Sequence, residues 1–146
     1  MKALLDTCVV VDFLQKRDPF AEDALRIFQY MAMNQFTGFI TAKSATDLFY
    51  LSHRNLHSNE KSRILLQKLL GLVGLLDTAA VDIQTALFSE MTDYEDAVMA
   101  ETGKRSGMDC LITRNKKHYG NCSLPVYEPK EFLHLLEESE GVSSET

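Results

Sequence analysis

The segment at residues 2–7 reads KALLDT, a short apolar run that ends in a carboxylate, Asp6, and a hydroxyl, Thr7. In an open α/β sheet, reacting groups gather beyond the carboxyl ends of the strands. If Ala3 to Leu5 forms a central strand, the carboxylate of Asp6 lies at that edge and faces a crevice. The rest of the chain then supplies elements that bring further oxygen ligands towards Asp6.

Strand candidates alternate with helical segments along the whole chain. The predicted strands are 3–5, 37–41, 72–76, 110–112 and 126–127. The predicted helices are 7–14, 19–32, 43–51, 58–70, 81–91, 93–106 and 129–138, with a polar loop at 52–57. Such alternation predicts a parallel sheet with helices on both faces. We therefore predict one three-layer α/β domain over residues 1–138, followed by a disordered tail at 139–146 that has little to bury.

The composition is that of a soluble globular protein with an acidic balance. The 146 residues are 45% hydrophobic and 25% charged, and the formal net charge is −6. No global basic field therefore indicates a nucleic-acid partner. This weakens a nucleic-acid function without excluding it, because a nuclease site can itself be acidic and carry its compensating charge as metal.

The cysteines and the hydropathy pattern favour a reducing, cytoplasmic setting. Cys8, Cys110 and Cys122 are odd in number and form no CxxC pair, so a disulfide framework is not expected. Carboxylates at Asp6 and Asp12 come too early for a signal peptide, and no apolar run reaches transmembrane length. We expect no membrane association.

Four short segments bring oxygen-bearing side chains to one edge of the predicted sheet. These side chains are Asp6, Asp47, Asp93, Asp96, Thr113 and Asn115. Clustered carboxylates repel one another, and such a cluster usually implies a cation. Ligation by oxygen alone, with open water positions, suits Mg²⁺ or Mn²⁺ rather than Zn²⁺. Such an ion can polarise a phosphodiester and activate a bound water.

Each of these residues also has a structural explanation. Asp93 and Asp96 form a D-x-x-D version of a capping box at a helix start, and Asp6 could cap the helix that follows it. Asp47 alone could be a solvated helix residue, and the segment 113–115 could be a turn. The joint arrangement, rather than any single position, favours the functional interpretation.

Other Asp-after-strand folds are less consistent with the sequence. A haloacid-dehalogenase-type phosphatase needs a second Asp two residues after the first, where this chain has Cys8. A phosphoacceptor receiver domain needs paired acids after the first strand and a Lys after the last, and neither is evident. A dinucleotide-binding domain needs a glycine-rich first turn, which this chain lacks.

Three motifs resemble those of the PIN-domain family, in particular the toxins of bacterial toxin–antitoxin pairs. The motifs are LLDTCVVVD at residues 4–12, DYEDAV at 93–98 and DCLITRNKKHY at 109–119. The resemblance implies a Rossmann-like sheet of about five parallel strands and a ribonuclease that depends on Mg²⁺ or Mn²⁺. It implies an RNA substrate, a cognate antitoxin and a homodimer, for which the helices at 21–33 and 58–70 could supply the interface. The alternative is a PIN fold with weak or lost catalysis that binds RNA or protein.

The resemblance assigns catalytic and metal-binding roles by position. Asp6 matches the first acid of the family site and Asp96 the third. Asp47 stands where the family usually has Glu, and Asn115 stands at a fourth ligand position that is Asp in many members. Thr113 matches a hydroxyl that the family keeps beside the site.

Further residues would support the site or contact the substrate. Asp93 would support the acid cluster from outside the ligand set. His118 stands where Asp is frequent and is interpreted as structural. The residues predicted to contact the RNA backbone are Arg54, Arg114, Lys116 and Lys117.

Overall fold

Five strands form one sheet in which every neighbouring pair is parallel, in the order β3-β2-β1-β4-β5. The structure is a computed structural model that describes the backbone of residues 1–145 and the side chains of residues 1–140. The strands are β1 (Lys2–Leu5), β2 (Thr37–Thr41), β3 (Gly74–Leu76), β4 (Cys110–Ile112) and β5 (Val126–Tyr127). The helices are α1 (Thr7–Leu14), α2 (Ala21–Ala32), α3 (Ala42–Leu56), α4 (Asn59–Leu70), α5 (Ala80–Ala86), α6 (Tyr94–Arg105) and α7 (Pro129–Glu145).

Residues on alternate sides of β1 belong to two different hydrophobic cores. Ala3 and Leu5 join a cluster with side chains from α1, α2, α3, α4 and α7. Leu4, between them, joins a second cluster with side chains from α6. Successive side chains of a strand point to opposite faces of a sheet, so the sheet is covered on both sides. The predicted three-layer α/β architecture is confirmed.

The strand order reverses between β1 and β4, which lie side by side at the centre of the sheet. The chain builds β1, β2 and β3 outwards in one direction and then places β4 and β5 on the other side. The backbone N–H of Asp6 donates to the carbonyl of Ile112 at 2.9 Å, so the carboxyl ends of both strands meet. A crevice at such a switch point is the usual ligand site of an open parallel sheet.

Gly103 allows α6 to pack closely over β1. A Cβ atom at this glycine would lie 2.9 Å from Cδ2 of Leu4 and 3.0 Å from Cδ1 of Leu124. Asp96 lies two helical turns earlier on the same face of α6. The close packing of this helix therefore brings Asp96 towards the carboxyl end of β1.

Several predicted boundaries were wrong. The predicted loop at 52–57 is helical up to Leu56, because Ser52 is buried against the core and α3 ends only where His57 takes a left-handed conformation. Arg54 therefore lies on the last turn of a helix. Helix α2 begins at Ala21 instead of residue 19, and α5 ends at Ala86 instead of Met91.

The last helix is also longer than predicted. We expected an end near Glu138, whereas α7 continues to Glu145. Within this extension, Glu140 accepts a hydrogen bond from the Tyr30 hydroxyl of α2 at 3.4 Å, just beyond the pair that Glu137 forms with Arg26. The division into a domain of residues 1–138 and a disordered tail of 139–146 stays a prediction, and Thr146 lies outside the described residues. Among residues 1–145, no helix has both the length and the apolar character needed to cross a membrane.

Candidate metal centre

Asp6 does not cap the helix that it precedes. It stands at the N-terminal boundary of α1, but its side chain accepts no capping hydrogen bond from that helix. Asp6 is 7% exposed, its carboxylate accepts a hydrogen bond from the Thr113 hydroxyl at 2.7 Å, and the Tyr119 hydroxyl lies 3.5 Å from the same oxygen. The capping explanation of Asp6 is therefore wrong, and the carboxylate faces the crevice between β1 and β4.

Thr113 holds the carboxylate of Asp6 in a fixed orientation. The threonine follows β4 and is fully buried. Its hydroxyl accepts the backbone N–H of Asn115 at 3.0 Å and donates to Oδ2 of Asp6. Since the hydroxyl has a single proton, the first bond directs that proton to the carboxylate. The segment 113–115 is thus a turn that also supports the acid site.

Asp93 and Asp96 have different roles at the start of α6. Asp93 is the N-cap, and its Oδ1 accepts the backbone N–H of Asp96 at 2.9 Å. Asp96 does not return the reciprocal bond of a capping box. Its carboxylate instead accepts from the Tyr119 hydroxyl at 3.1 Å and lies 3.2 Å from Nδ1 of His118. The capping explanation therefore holds for Asp93 and fails for Asp96.

The charge state of Asp96 reflects the crowding of carboxylates. Burial raises the pKa of Asp96, and the charges of Asp6 and Asp93 raise this pKa further. The hydrogen bond from Tyr119 and the neighbouring imidazole of His118 oppose that rise. The negative charge clustered at this centre is unfavourable, and a bound cation would relieve it.

Tyr119 links the two central carboxylates, a role that the sequence did not reveal. The ring is 2% exposed, and its hydroxyl lies within hydrogen-bonding distance of both Asp96 and Asp6. Burial and the two carboxylate charges raise the pKa of Tyr119 far above its ordinary value, so the hydroxyl remains a neutral donor. An aromatic residue after a strand usually indicates core packing, so sequence alone gives no sign of this contact.

Asp47 is near the centre but is held by a cation from its own helix. Its Oδ2 lies 2.8 Å from Nζ of Lys43, which also approaches Oε2 of Glu95 at 3.8 Å. Burial lowers the pKa of Lys43, but the hydrogen bond and charge of Asp47, with a smaller effect from Glu95, raise it overall. Among the described residues, Asp47 makes no hydrogen bond to Asp6 or Asp96. Sequence analysis missed both Lys43 and Glu95.

A cleft of about 300 Å³ opens above these residues at the carboxyl edge of the sheet. We call it the acid cleft, and the charged groups that line it are Asp6, Lys43, Asp47, Glu95 and Asp96. The hydroxyl of Thr7 donates to Ser44 at 3.2 Å along one wall. The structure thus gathers Asp6, Asp47 and Asp96 around one opening, and their roles as metal ligands stay a prediction.

Asn115 lies at the same sheet edge but outside the hydrogen-bonded group. Its side chain is exposed and makes no hydrogen bond among the described residues. It is connected to the centre through its backbone N–H, which donates to Thr113. Its assignment as a fourth metal ligand stays a prediction.

The residues predicted to contact RNA differ in whether their charges are already paired within the protein. Arg114 makes a bidentate pair with the buried Asp12, at 2.6 and 3.2 Å, and its guanidinium lies 4.1 Å from the ring centroid of Phe20. Both carboxylate oxygens of Glu131 accept from Lys116, at 3.0 and 3.1 Å. Arg114 therefore connects the turn after β4 to α1, and this interaction stabilises the fold.

Lys117 and Arg54 are more accessible. Lys117 is exposed in the 3-10 turn of residues 116–119 and makes no ion pair among the described side chains. The guanidinium of Arg54 lies 5.9 Å from the ring centroid of Tyr50, a residue that lines the acid cleft. Arg54 therefore lies beside the cleft through Tyr50, and Lys117 directly precedes His118, which contacts Asp96.

The donor atoms at the centre fit a divalent cation. Within the described part of the chain, the Thr113 and Tyr119 hydroxyls both approach Oδ2 of Asp6, so Oδ1 is available to a ligand. Asp93, Asp96 and His118 each offer a ligand atom, and these three atoms lie within 4.8 Å of one another, a set that shares Asp96 with the centre but does not include Asp6 or Asp47. Carboxylate oxygens suit Mg²⁺ and Mn²⁺. His118, interpreted from sequence as structural, lies directly against this centre.

Solved structures of known proteins share the fold at low sequence identity. VapBC2 from Rickettsia felis, bound to a DNA fragment from its promoter, aligns with a TM-score of 0.66 and 17% identity over 88% of this chain and 98% of that chain. FitAcB from Neisseria gonorrhoeae aligns with a TM-score of 0.64 and 20% identity over 87% and 97%. VapC20 from Mycobacterium tuberculosis, described as a sarcin-ricin loop cleaving toxin, gives 0.61 and 12% over 81% and 95%.

The family assignment rests on the sequence as well as the fold. No curated protein matches the chain. A family model described as PIN domain matches residues 2–117, a region that includes Asp6, Asp47, Asp96 and Thr113. The chain belongs to the PIN-domain family.

Proposed function

We propose that this PIN domain is a metal-dependent endoribonuclease that hydrolyses RNA phosphodiesters. The observation that carries the proposal is the position of Asp6 and Asp96. They come from the end of β1 and the start of α6, neither side chain caps a helix, and both approach the hydroxyl of Tyr119. Two carboxylates close together across a crevice repel each other and destabilise the fold. A divalent cation bound between them would remove that repulsion, so the arrangement suits metal binding.

Asp6 and Asp96 are the residues that would hold Mg²⁺ or Mn²⁺, with Asp47 and Asn115 as nearby ligands. When bound, such a cation polarises the phosphodiester and lowers the pKa of a water for attack on phosphorus. Asp96 must be ionised to ligate a metal, and its pKa is raised in the metal-free protein. Metal affinity should therefore rise with pH as this carboxyl loses its proton.

The neighbouring side chains orient the ligands. Thr113 donates to Asp6 from a fully buried position, and Tyr119 donates to Asp96 from a nearly buried one. These two hydrogen bonds orient the carboxylates, which reduces the reorganisation needed when a cation binds. Asp93 fixes the first turn of α6 and so the position of Asp96.

The comparisons support a role as the toxin of a toxin–antitoxin pair. VapC20 is described as a toxin that cleaves the sarcin-ricin loop, and another solved match is a toxin–antitoxin complex from Klebsiella pneumoniae. We propose by analogy that this chain acts on RNA and has a cognate antitoxin. We retain the homodimer as part of this proposal.

A homodimer interface on α2 and α4, the helices predicted to form it, would need exposed apolar side chains. Leu25 and Met33, in and beside α2, are 45% and 56% exposed, and Ile64 on α4 is 45% exposed. The other large apolar side chains of α2 are mostly buried in the core. Helix α2 therefore contributes mainly to the core, and an interface would use these few exposed residues.

The test is cleavage of a set of structured and single-stranded RNAs with Mg²⁺ or Mn²⁺, with and without chelator. The parent protein should cleave, and Asp6→Asn and Asp96→Asn should each lose at least about 100-fold in rate, because one ligand charge is removed. Glu60→Gln, which removes an exposed carboxylate at the start of α4, is the matched control and should keep the parent rate.

Two results would contradict the proposal. One is cleavage by the Asn variants at the parent rate in saturating metal. The other is a parent protein that binds RNA but shows no cleavage of it under any metal condition, which would favour the alternative of an inactive PIN-fold binding module.

A further inference from the structure

The acid cleft is poorly suited to a phosphodiester unless it contains a cation of its own. Four carboxylates line it: Asp6, Asp47, Glu95 and Asp96. Among the described residues that line the cleft, Lys43 is the one cation. Of the other basic residues near this edge of the sheet, Arg114 is paired with Asp12 and Lys116 with Glu131, and the exposed Lys117 does not line the cleft.

The backbone of Lys43 is fixed in the fold, whereas its ammonium group is held only by ion pairs. It lies in the first turn of α3, directly after β2, and its backbone N–H donates to the Thr78 hydroxyl at 3.3 Å. Its ammonium bridges two elements, at 2.8 Å from Asp47 on α3 and 3.8 Å from Glu95 on α6. The ammonium therefore lies between α3 and α6, two helices whose carboxylates line the cleft.

The ion pairs of Lys43 can exchange partners at little cost. Its side chain is 37% exposed, and those of Asp47 and Glu95 are 46% and 77% exposed. Pairs this exposed are screened by water and contribute little to stability. A phosphate oxygen accepts from an ammonium at least as well as a carboxylate does. An incoming phosphodiester can therefore replace Asp47 as the partner of Lys43.

We propose that Lys43 is the phosphate-binding residue of the acid cleft and that it releases Asp47 when RNA binds. This inference rests on the proposed nuclease function and concerns its substrate contact. In the RNA-free protein, Lys43 neutralises Asp47 and keeps that carboxylate from the metal centre. When the ammonium moves to a backbone phosphate, Asp47 becomes available as a ligand. Substrate binding and metal binding should therefore strengthen each other, as reciprocal linkage requires.

The first experiment measures RNA binding without catalysis. A fluorescent single-stranded RNA is titrated with protein in EDTA, at several salt concentrations, and anisotropy reports the affinity. Lys43→Gln should weaken binding about tenfold at low salt, the lower end of the range for one hydrogen bond to a charged group. The slope of log affinity against log salt should fall by about 0.7, the value for one phosphate contact on a single strand.

Two variants control for charge and for folding. Lys43→Arg keeps a cation at the position and should bind RNA within about twofold of the parent. Lys104→Gln removes an exposed lysine from the last turn of α6, the end away from Asp96, and should leave the salt slope unchanged. Thermal unfolding of each variant verifies that the comparison is made on folded protein.

The second experiment measures Mn²⁺ affinity by electron paramagnetic resonance, without RNA. Lys43→Gln should bind Mn²⁺ about threefold or more tightly, because a positive charge has been removed beside the centre. Asp47→Asn should change the Mn²⁺ affinity little in the parent, where Asp47 is paired with Lys43. The same substitution should weaken binding about threefold or more in the Lys43→Gln background, where Asp47 is free to ligate.

The outcomes separate this inference from the proposed function. Equal salt slopes for Lys43→Gln and Lys104→Gln, or Mn²⁺ affinities that do not respond to Lys43→Gln, would overturn the role of Lys43. The nuclease proposal would stand in that case if Asp6→Asn still abolished cleavage. A parent that neither binds nor cleaves RNA would overturn both.

Discussion

Replacement of Tyr119 by Phe tests how the two carboxylates are held together in the metal-free protein. The hydroxyl lies 3.1 Å from Asp96 and 3.5 Å from Asp6 on a side chain that is 2% exposed. Tyr119→Phe removes this hydroxyl and keeps the ring. A buried hydrogen bond to a charged group contributes roughly 1.5–3 kcal/mol, and most of that value should come from the shorter contact. We expect the free energy of unfolding to fall by about 2 kcal/mol in EDTA.

The assay is urea unfolding followed by circular dichroism, in EDTA and in saturating Mn²⁺. For a chain of this length, a loss of about 2 kcal/mol corresponds to a melting temperature lower by roughly 6 °C. Saturating Mn²⁺ should reduce this loss of stability, because a bound cation stabilises the same carboxylates that the Tyr119 hydroxyl stabilises in EDTA. Tyr127→Phe is the matched control, since the Tyr127 hydroxyl makes no hydrogen bond among the described residues.

Equal stability of Tyr119→Phe and Tyr127→Phe in EDTA would refute the reasoning. It would mean that the hydroxyl of Tyr119 has no energetic coupling to the acid centre. A loss of the same size with and without Mn²⁺ would indicate that the hydroxyl matters for packing alone.

Three further substitutions have distinct expected results. Thr113→Val keeps the shape of the side chain and removes the donor to Asp6. RNA cleavage should fall at least about tenfold, and the free energy of unfolding in urea should fall by about 2 kcal/mol. Cleavage at the parent rate would contradict this. The pKa of Asp96 is raised in the folded, metal-free protein, so its stabilising contribution is complete below the unfolded pKa and is lost as pH rises through the folded pKa. Asp96→Asn should therefore make the metal-free protein more stable than the parent near neutral pH while abolishing cleavage, and a lower melting temperature in EDTA would contradict it. Asn115→Asp should preserve or raise the cleavage rate if the position is a fourth ligand, and a tenfold loss would exclude that role.

The fold and the position of the central acids could be predicted because both depend on local patterns. The apolar run of β1 followed by Asp6 identifies a buried strand and the residue at its carboxyl end. The alternation of strands with helices then requires a parallel sheet, in which the carboxyl ends of neighbouring strands meet. Asp6 and Thr113 had to lie close together once β1 and β4 were adjacent.

The competing roles of each carboxylate could not be resolved from sequence. Asp6 and Asp93 both precede helices and both could cap them, yet only Asp93 does so. The difference arises because Thr113, which is distant in sequence, supplies a donor to Asp6. Which partner a carboxylate takes depends on the three-dimensional neighbours, and helix-capping preferences describe only the local alternative.

The contacts of Lys43 and Tyr119 were missed for a related reason. A lysine in a helix and an aromatic residue in a turn have common structural explanations, as a solvated surface charge and as core. The predicted loop at 52–57 was wrong because its polar residues suggested exposure, whereas Ser52 packs against the core within a continuous helix. In each case the deciding contact is with another element of the fold.

The central claim is that Asp6 and Asp96 together hold a divalent cation. The most direct measurement is a Mn²⁺ titration, followed by electron paramagnetic resonance, of the parent and of the double variant Asp6→Asn, Asp96→Asn. We expect the parent to bind one or two ions and the double variant to bind none above the buffer background, while circular dichroism shows that both are folded. Equal Mn²⁺ binding by the parent and the folded double variant would contradict the claim.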